Sequence, residues 1–325
     1  MGLYPLREAV QATTELSRGF RPDIDQILVT PGANAIIYLA ISCVVDPGEE
    51  VLVPDPGFPT YLAAIKYCGA RAVAVPVRES NHFRLDPQDV RDRITDRTRL
   101  LIINSPSNPT GGVMLPDEID EIARIAKEKD IYLLSDEIYA RMVFAEETTF
   151  HSPASLDQCR ERTIIVNGFS KSFAMTGWRL GVAIGPQEVI TKMGLVLQTI
   201  VSCVPPFVQE AGIEAIQGDQ SAIVAMRNEY RLRRDVLVRG LNQLPGVSCC
   251  LPQGAMYAFP NIGGTNMSSE EFAEFALDKA GVALLPGTHF GEHGAGFARL
   301  CYVNTLENIK LAIQQLAAAL KERGV

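Results

Sequence analysis

The sequence lacks the residue patterns that define several classes of protein. Of its 325 residues only four are histidine, and its seven cysteines form no Cys-x-x-Cys pair. A metal site is therefore not predicted, and an odd number of cysteines argues against a disulfide framework. Most of these cysteines lie in apolar runs, so we expect them to be reduced core residues of a cytoplasmic protein.

Positive charge and long apolar runs are also scarce. Lys and Arg total 30 against 38 Asp and Glu, which gives a formal net charge of −8. This balance argues against a nucleic-acid binder, because no basic face could dominate the surface. No apolar run is long enough to span a bilayer, and no basic segment followed by an apolar core is present at the N-terminus. Neither membrane insertion nor a signal peptide is predicted.

The pattern that is present is an alternation of strands and helices. From Ile27 to about Gly185 it predicts an α/β fold with a mostly parallel, doubly wound sheet. Beyond Pro186 a long helix over 221–244 leads into a smaller α+β unit, with strands near 255–259, 282–285 and 297–303. We predict a large domain over residues 1–215, whose residues 1–18 form an N-terminal helix, and a small C-terminal domain over 216–325.

Lys171 occupies an unusual position for a lysine. It follows the β-branched run Thr163–Val166, which predicts a buried strand, and its neighbours in sequence are small or apolar. Burial and a like charge such as Arg179 lower the pKa of an amine and make lysine a nucleophile toward carbonyls. Taken alone, however, a lysine in this position would more often be a solvated loop residue.

Other segments that can carry binding or catalytic groups follow the remaining predicted strands. A glycine turn before a helix points free backbone N–H groups at an anion. An acidic residue after an apolar strand is either a helix N-cap or a buried functional carboxylate, and an aromatic ring in a proline-rich loop either plugs the core or is held at the strand end. Because such sheets bind ligands at the carboxyl ends of their strands, we expect one composite site. Its members are Gly32 to Asn34, Phe58, Asn108, Asp136, Tyr139 and Lys171.

Five motifs in order resemble those of fold-type I pyridoxal-phosphate enzymes, specifically class I and II aminotransferases similar to aspartate aminotransferase. They are Pro31–Ala35, Ser107–Gly111, Ser135–Tyr139, Ser170-Lys171 with Gly177–Gly181, and Arg299. The resemblance covers essentially the whole chain. It implies a transaminase that exchanges an amino group between an L-amino acid and a 2-oxo acid by a ping-pong mechanism, with pyridoxal 5′-phosphate bound to Lys171 as a Schiff base.

The resemblance also implies roles for the residues that contact the cofactor ring. Lys171 is expected to move the proton between the substrate Cα and the cofactor C4′. Asp136 keeps the pyridine nitrogen protonated, Asn108 and Tyr139 hydrogen-bond the phenolic oxygen, and Phe58 stacks on the ring.

Further residues are implied to bind the two anionic groups. Arg179, aided by Ser170 and by the glycine turn, is expected to bind the cofactor phosphate. Arg299 resembles the arginine that grips the substrate α-carboxylate, with Asn108 as a second substrate contact. Without the resemblance, Arg299 would more often be read as a structural ion-pair partner. The glycine turn contributes Gly32, the backbone amides of Ala33 and Asn34, and the Asn34 side chain.

Two departures from the family pattern bear on these expectations. Many relatives have a serine three residues before the lysine, where this chain has Gly168, so the phosphate should lose a hydrogen bond worth about 1 kcal/mol. Ser170 is a candidate to compensate. In relatives, the segment resembling Gly2–Arg7 follows a longer region that carries part of the substrate lid, dimer contacts and a tyrosine reaching the neighbouring subunit's phosphate. A homodimer, weakened by the loss of those contacts, is expected.

Several alternatives stay open at the level of sequence. The same fold serves C–S β-lyases, decarboxylases and synthases, and some regulators reuse it as a non-catalytic module that binds the cofactor or an effector. Substrate choice is also undecided. Arg141 is either a partner for a second carboxylate or a solvated loop residue, and Ser202–Pro206 is expected to shape the side-chain pocket.

Overall fold

A computed structural model describes residues 1–144 and 150–324 of the chain. The larger of its two sheets contains seven strands, which alternate with helices along the chain. These strands are β1 (Ile27–Thr30), β2 (Glu50–Asp55), β3 (Arg71–Pro76), β4 (Thr98–Asn104), β5 (Tyr132–Asp136), β6 (Thr163–Gly168) and β7 (Gly181–Ile184). The helices up to the end of this sheet are α1 (Tyr4–Arg18), α2 (Ala33–Val44), α3 (Pro59–Tyr67), α4 (Pro87–Arg91), α5 (Pro116–Glu128) and α6 (Ala154–Asp157).

The strand order of the large sheet is β1-β7-β6-β5-β4-β2-β3. Strands β2 to β6 pair in parallel, whereas β7 runs antiparallel to both β6 and β1. Six strands therefore share one direction, which confirms the predicted mostly parallel α/β sheet. Because β7 is reversed, its first residue lies at the edge where the other strands end.

Helices cover both faces of this sheet, so its central strands are buried on both sides. On one face, α2 and α7 (Gln187–Ile200) pack their apolar side chains against the sheet. Helix α5 covers part of the opposite face, and α1 packs with α8 (Pro206–Gln217) beside β1 and β7. This layering leaves the strand ends as the place where polar side chains can converge.

The C-terminal part of the chain begins with α9 (Ser221–Leu241) and contains a three-stranded antiparallel sheet of order β8-β10-β9. Its helix α10 starts at the predicted capping box, in which Ser268 and Glu271 bond each other's backbone N–H groups. The remaining elements are β8 (Tyr257–Ala258), α10 (Ser269–Ala280), β9 (Leu285–Pro286), β10 (Ala298–Cys301) and α11 (Leu306–Arg323).

The predicted strand over 282–285 is wrong for most of its length. Gly281 ends α10 in the left-handed region at φ 63°, and the backbone N–H of Val282 donates to the carbonyl of Ala276. Val282 therefore belongs to the C-terminal cap of the helix, and pairing with β10 begins only at Leu285.

The expectation that most cysteines are core residues is also wrong. All seven are free, but only Cys159 and Cys249 are buried, while Cys203 and Cys301 are exposed. Cys301 is the last residue of β10, and its side chain leaves the core there. Across the described ranges there is no cluster of three or more metal-ligating side chains, and no helix long and apolar enough to cross a membrane.

Candidate active site

A cavity of about 270 Å³ lies where the strands of the large sheet end. Each wall is contributed by a segment that follows a different strand, with Arg179 placed there by the reversed β7. Nine of the residues singled out in the sequence line it: Ala33, Asn34, Phe58, Asn108, Asp136, Tyr139, Ser170, Lys171 and Arg179. The remaining two, Gly32 and Arg299, contact members of this set.

Lys171 is half-buried in this cavity, with its Nζ 5.9 Å from the centre of the Tyr139 ring. Burial lowers the pKa of Lys171 below its ordinary value; the nearby Cys301 opposes this shift, and Arg299 and Arg179 add to it. The direction agrees with that expected from the sequence. A larger fraction of the amine is therefore neutral, and so nucleophilic, than for a solvated lysine.

Asp136 is fully buried at the floor of the cavity. Its Oδ2 accepts a 2.6 Å hydrogen bond from the Tyr61 hydroxyl, and its Oδ1 accepts one from the backbone N–H of Ile138. Burial raises the pKa of Asp136 to about 6, the two hydrogen bonds oppose this, and the neighbouring Glu137 adds to it. No ion pair among residues 1–144 and 150–324 involves Asp136, so the site is ready for a cationic partner.

Two tyrosines that the sequence did not single out complete the cavity's polar network. Tyr257 on β8 shares a 2.9 Å hydrogen bond with the hydroxyl of Tyr139, and Tyr61 on α3 reaches back to Asp136. Burial raises the pKa of Tyr139 well above its ordinary value. Only the proximity of Tyr61 to the Phe58 loop hinted at its role, and Tyr257 carries no local signal because its contact depends on the other sheet.

One corner of the cavity is built to bind an anion. Gly32 turns the chain into α2 at φ 87°, so that the start of the helix, at Ala33 and Asn34, faces the cavity. Arg179 lies alongside, donating from Nη1 to the carbonyl of Thr176 and, at 3.4 Å, to the hydroxyl of Ser170. The guanidinium, the hydroxyl and the positive end of the helix therefore converge on one corner, which is the combination of groups that attracts anions such as phosphate.

Arg299 on β10 approaches the cavity from the C-terminal sheet. Its guanidinium carbon lies 4.5 Å from the centre of the Tyr257 ring and 4.6 Å from that of Phe290, and Nη1 donates to Asn108 Oδ1 at 3.0 Å. Its buried Nε has no hydrogen-bond partner within the described ranges. The rings of Tyr257 and Phe290, rather than the small neighbours in sequence, therefore fix the orientation of the guanidinium. Some of its N–H groups remain free to bind a carboxylate.

Three sequence features lie elsewhere. Gly168 and Arg141 line a second cavity of about 210 Å³ that shares the loop after β6 as a wall. Arg141 there donates to Gln220 and packs over the Phe173 ring, so it is neither a solvated loop residue nor a member of the Lys171 cavity. Ser202, Cys203 and Val204 line a separate groove beside α7.

Comparison with known proteins agrees with this geometry. The profile of the family described as Aminotransferase class I and II matches residues 2–316. The chain belongs to this family. An aspartate aminotransferase of Pyrococcus horikoshii is 40% identical over 98% of this chain and 82% of its own length. Aromatic-amino-acid aminotransferase 2 of Thermococcus litoralis is 39% identical over 99% of this chain and 83% of its own length.

Solved structures show the same relationship. The aromatic aminotransferase of P. horikoshii superposes with a TM-score of 0.96 at 39% identity, over 99% of this chain and 87% of that one. The chain is a pyridoxal-phosphate-dependent aminotransferase of fold type I, acting on amino acids and 2-oxo acids.

The residues of the cavity fit this cofactor. Added to Gly32, a Cβ would lie 2.4 Å from Arg179 Nη2, so the glycine leaves the guanidinium room beside the helix start that would receive the phosphate. Among the described residues, the buried carboxylate of Asp136 has no cation to pair with, as a site for a protonated ring nitrogen requires. Phe58 borders the same cavity and packs edge-to-face on Tyr61 at 5.6 Å, rather than being enclosed in the core.

Proposed function

We propose that the Lys171 cavity is where this aminotransferase exchanges the amino group, with each residue in the role that its position supports. The observation that carries the proposal is the convergence of Lys171, Asp136 and Arg179 on one cavity, with Arg299 held at its border through Asn108. A nucleophilic amine, a buried carboxylate and two separate cationic corners match a substrate and a cofactor that each bear an anion.

When bound, pyridoxal phosphate supplies an aldehyde that takes up the amino group and a ring that accepts electrons from the substrate α-carbon. Asp136 holds the proton on the ring nitrogen, which keeps the ring electron-poor. Arg179, Ser170 and the backbone of Ala33 and Asn34 bind the phosphate. Asn108 and Tyr139 donate to the phenolic oxygen, with the Tyr139 hydroxyl oriented by Tyr257, and Phe58 covers one face of the ring.

On the substrate side, the guanidinium of Arg299 binds the α-carboxylate. It uses its unpaired N–H groups together with Nη1, the nitrogen that faces Asn108. This anchor orients the substrate so that its α-carbon faces Lys171. The Lys171 amine, whose neutral form is favoured by burial, would take the proton from that carbon and deliver it to the cofactor carbon C4′ within the same half-reaction, and the transfer would run in the opposite direction in the other half-reaction. The same residues therefore serve amino acid and 2-oxo acid in turn.

We further propose a cytoplasmic homodimer whose chains divide into a large domain over residues 1–215 and a small one over 216–325. Separate sheets and largely separate apolar clusters support the division. Support for the dimer comes from large apolar side chains exposed at the end of α7 and the start of α8, among them Leu195, Ile200 and Phe207.

Borohydride reduction of the cofactor-loaded protein, followed by peptide mapping, tests the assignment of Lys171. The cofactor should become attached to the peptide containing Lys171, and Lys171→Ala should remove both this label and transamination. Lys192→Ala, on an exposed face of α7, is the control and should keep both. A label on any other lysine would refute the assignment.

The half-reaction separates transamination from the other chemistries of the fold. Adding an amino acid to the loaded protein should convert its absorbance to that of the amine form of the cofactor and release one equivalent of a 2-oxo acid. All carbon and sulfur of the donor should remain in that product. Release of carbon dioxide or of a thiol would indicate a decarboxylase or a lyase, and cofactor retention without any conversion would indicate a binding module.

A further inference from the structure

Asp55, the last residue of β2, links the large sheet to the C-terminal part of the chain. The segment Gly287–Gly294, which precedes β10, places two backbone N–H groups on this carboxylate: that of His293 at 3.1 Å and that of Glu292 at 3.2 Å. The His293 ring adds a contact from Nδ1 at 3.1 Å. Asp55 is buried, whereas half of the His293 side chain is exposed, so the backbone contacts form the core of this link.

The Asp55 carboxylate packs so closely against the backbone at Gly291 that the two segments fit each other specifically. Gly291 has φ 136°, and a Cβ at this position would lie 1.9 Å from Asp55 Oδ1. Two residues past Asp55, the backbone N–H of Gly57 donates to the carbonyl of Phe290 at 2.8 Å. The end of β2 thus holds the Gly287–Gly294 segment at several points, and only a glycine at 291 lets the carboxylate reach the backbone.

This link connects a residue beside Arg299 with a residue that lines the Lys171 cavity. Phe290 is buried, and its ring is one of the two that enclose the guanidinium of Arg299. On the other side, Phe58 directly follows Gly57 and lines the Lys171 cavity. A displacement of the Gly287–Gly294 segment would therefore first move the Phe290 ring that lies beside Arg299, and only then affect Lys171 or Asp136.

We propose that Asp55 is a positioning residue for the substrate α-carboxylate, acting by fastening the Gly287–Gly294 segment so that Phe290 holds Arg299 in its binding orientation. The inference rests on the proposed role of Arg299. Without the Asp55 carboxylate, three hydrogen-bonding groups lose their acceptor and the ring beside Arg299 is free to shift. Carboxylate affinity should fall while the cofactor pocket is kept.

The test compares Asp55→Ala, Asp55→Asn and Gly291→Ala in the cofactor-loaded enzyme. Calorimetric titration with 3-phenylpropionate, a carboxylate with no amino group to transfer, measures binding alone, and the amino-acid half-reaction measures affinity and maximum rate separately. Asp55→Ala and Gly291→Ala should each raise the dissociation constant about tenfold or more, because charged hydrogen bonds are lost. The maximum rate should change much less, and Asp55→Asn, which keeps an oxygen acceptor, should recover part of the affinity.

Asp157→Ala is the matched control, since the Asp157 carboxylate likewise accepts three hydrogen bonds, in its case all from backbone N–H groups, those of Cys159, Arg162 and Thr163. It precedes β6, at the edge of the sheet away from the cavity, and should leave the dissociation constant unchanged. A constant within twofold of wild type in Asp55→Ala, or an equal rise in Asp157→Ala, would overturn the positioning role. If Asp55→Ala does not fold, Asp55→Asn and Gly291→Ala decide by the same criteria.

The two readouts separate this inference from the proposed function. Wild-type protein that binds 3-phenylpropionate but gives no half-reaction with any amino acid would contradict the proposed function alone. If the wild-type protein transaminates and all three variants keep its dissociation constant for the carboxylate, the positioning role alone would be contradicted. Wild-type protein that neither binds this carboxylate nor reacts with any amino acid would overturn both, and if it reacts without binding the carboxylate, the affinity measured in the half-reaction decides by the same criteria.

Discussion

At the scale of single residues, Asp136 is the side chain whose position makes least sense without a ligand. It is fully buried, has two hydrogen bonds, and its pKa is raised to about 6 chiefly by burial. Keeping such a group ionised at neutral pH destabilises the cofactor-free protein, because a buried anion without a cation loses its hydration. In the proposed function, a protonated ring nitrogen would supply that cation.

This placement predicts a pH-dependent stability for the cofactor-free protein. A raised pKa means that the folded state binds the proton more tightly than the unfolded state. The resulting stabilisation, about 3 kcal/mol, is complete below pH 4 and is lost as the pH rises through 6. Between pH 5 and 8 the contribution of Asp136 should therefore fall by about 1 kcal/mol.

Asp136→Asn should remove that dependence. In denaturant unfolding of the cofactor-free proteins, the free energy of unfolding of the variant relative to that of wild type should rise between pH 5 and 8. The transamination rate of the loaded variant should fall about 100-fold or more, since the ring nitrogen loses its anion. Asp157→Asn changes the net charge equally and controls for it. If wild type and Asp136→Asn respond identically to pH, the carboxyl is not the buried, unpaired acid that the structure shows.

The effect of Gly168 on phosphate binding stays a prediction, whereas its packing is given by the structure. Gly168 borders the second cavity, and a Cβ there would lie 3.0 Å from the carbonyl oxygen of Leu180 and 3.2 Å from Ile138. A serine at this position would need these neighbours to give way by a few tenths of an ångström, so the glycine fits the local packing.

At the scale of elements, the anion-binding corner depends on two segments far apart in sequence. The start of α2 follows β1, and Arg179 precedes β7, which pairs with β1 in antiparallel register. This pairing brings the guanidinium against the Gly32 turn, where a Cβ would meet Arg179 Nη2 at 2.4 Å. The end of a long side chain can move away, so a larger residue there should displace the arginine rather than unfold the turn.

Gly32→Ala should consequently weaken cofactor binding more than it weakens the fold. Gly48 is the matched control, because its φ of 88° nearly equals the 87° of Gly32 while a Cβ there would meet nothing within 4 Å. Both substitutions should lower the free energy of unfolding of the cofactor-free protein by about 1–2 kcal/mol through backbone strain.

Absorbance titration with pyridoxal phosphate should then distinguish the two variants. Only Gly32→Ala should raise the cofactor's dissociation constant, by about tenfold or more, as a displaced charged donor implies. Equal affinities in the two variants would show that Arg179 is not held by the turn in the way its contacts indicate.

At the scale of the whole molecule, the proposed dimer is supported by the exposed apolar side chains at the end of α7 and the start of α8. Phe207 is 71% exposed and Leu195 62% exposed, close to a groove lined by Leu197 and Val204. Several large apolar side chains exposed on neighbouring segments are typical of interfaces between chains.

Phe207→Glu should shift the protein toward the monomer in sedimentation experiments, raising the dimer dissociation constant about tenfold or more. Folding should be unaffected, because Phe207 lies in the first turn of α8, where an acidic residue interacts favourably with the helix dipole. Leu311→Glu, on an exposed position of α11, is the control and should leave the association state alone. Equal behaviour of the two variants would place the interface elsewhere.

Much of the architecture could be predicted from local patterns. The alternating strands and helices, the capping box at Ser268 and the position of Lys171 after a buried strand all follow from short-range periodicity and turn chemistry. The failure over 282–285 has a local cause as well: an apolar run after a glycine reads as a strand, although its first residue completes a helix cap. Pattern alone does not distinguish these outcomes, because both bury an apolar residue.

Residue type and hydrophobic period are local properties, so the order of amino acids alone specifies which chemical groups are present and that strand ends carry them. The partners of these groups depend on the folded chain: Tyr61 on Asp136, Tyr257 on Tyr139, Phe290 on Arg299, and Asp55 on the segment before β10. Each of these contacts joins elements distant in sequence. The direction of β7 and the docking of the second sheet create them, and no local signal encodes either.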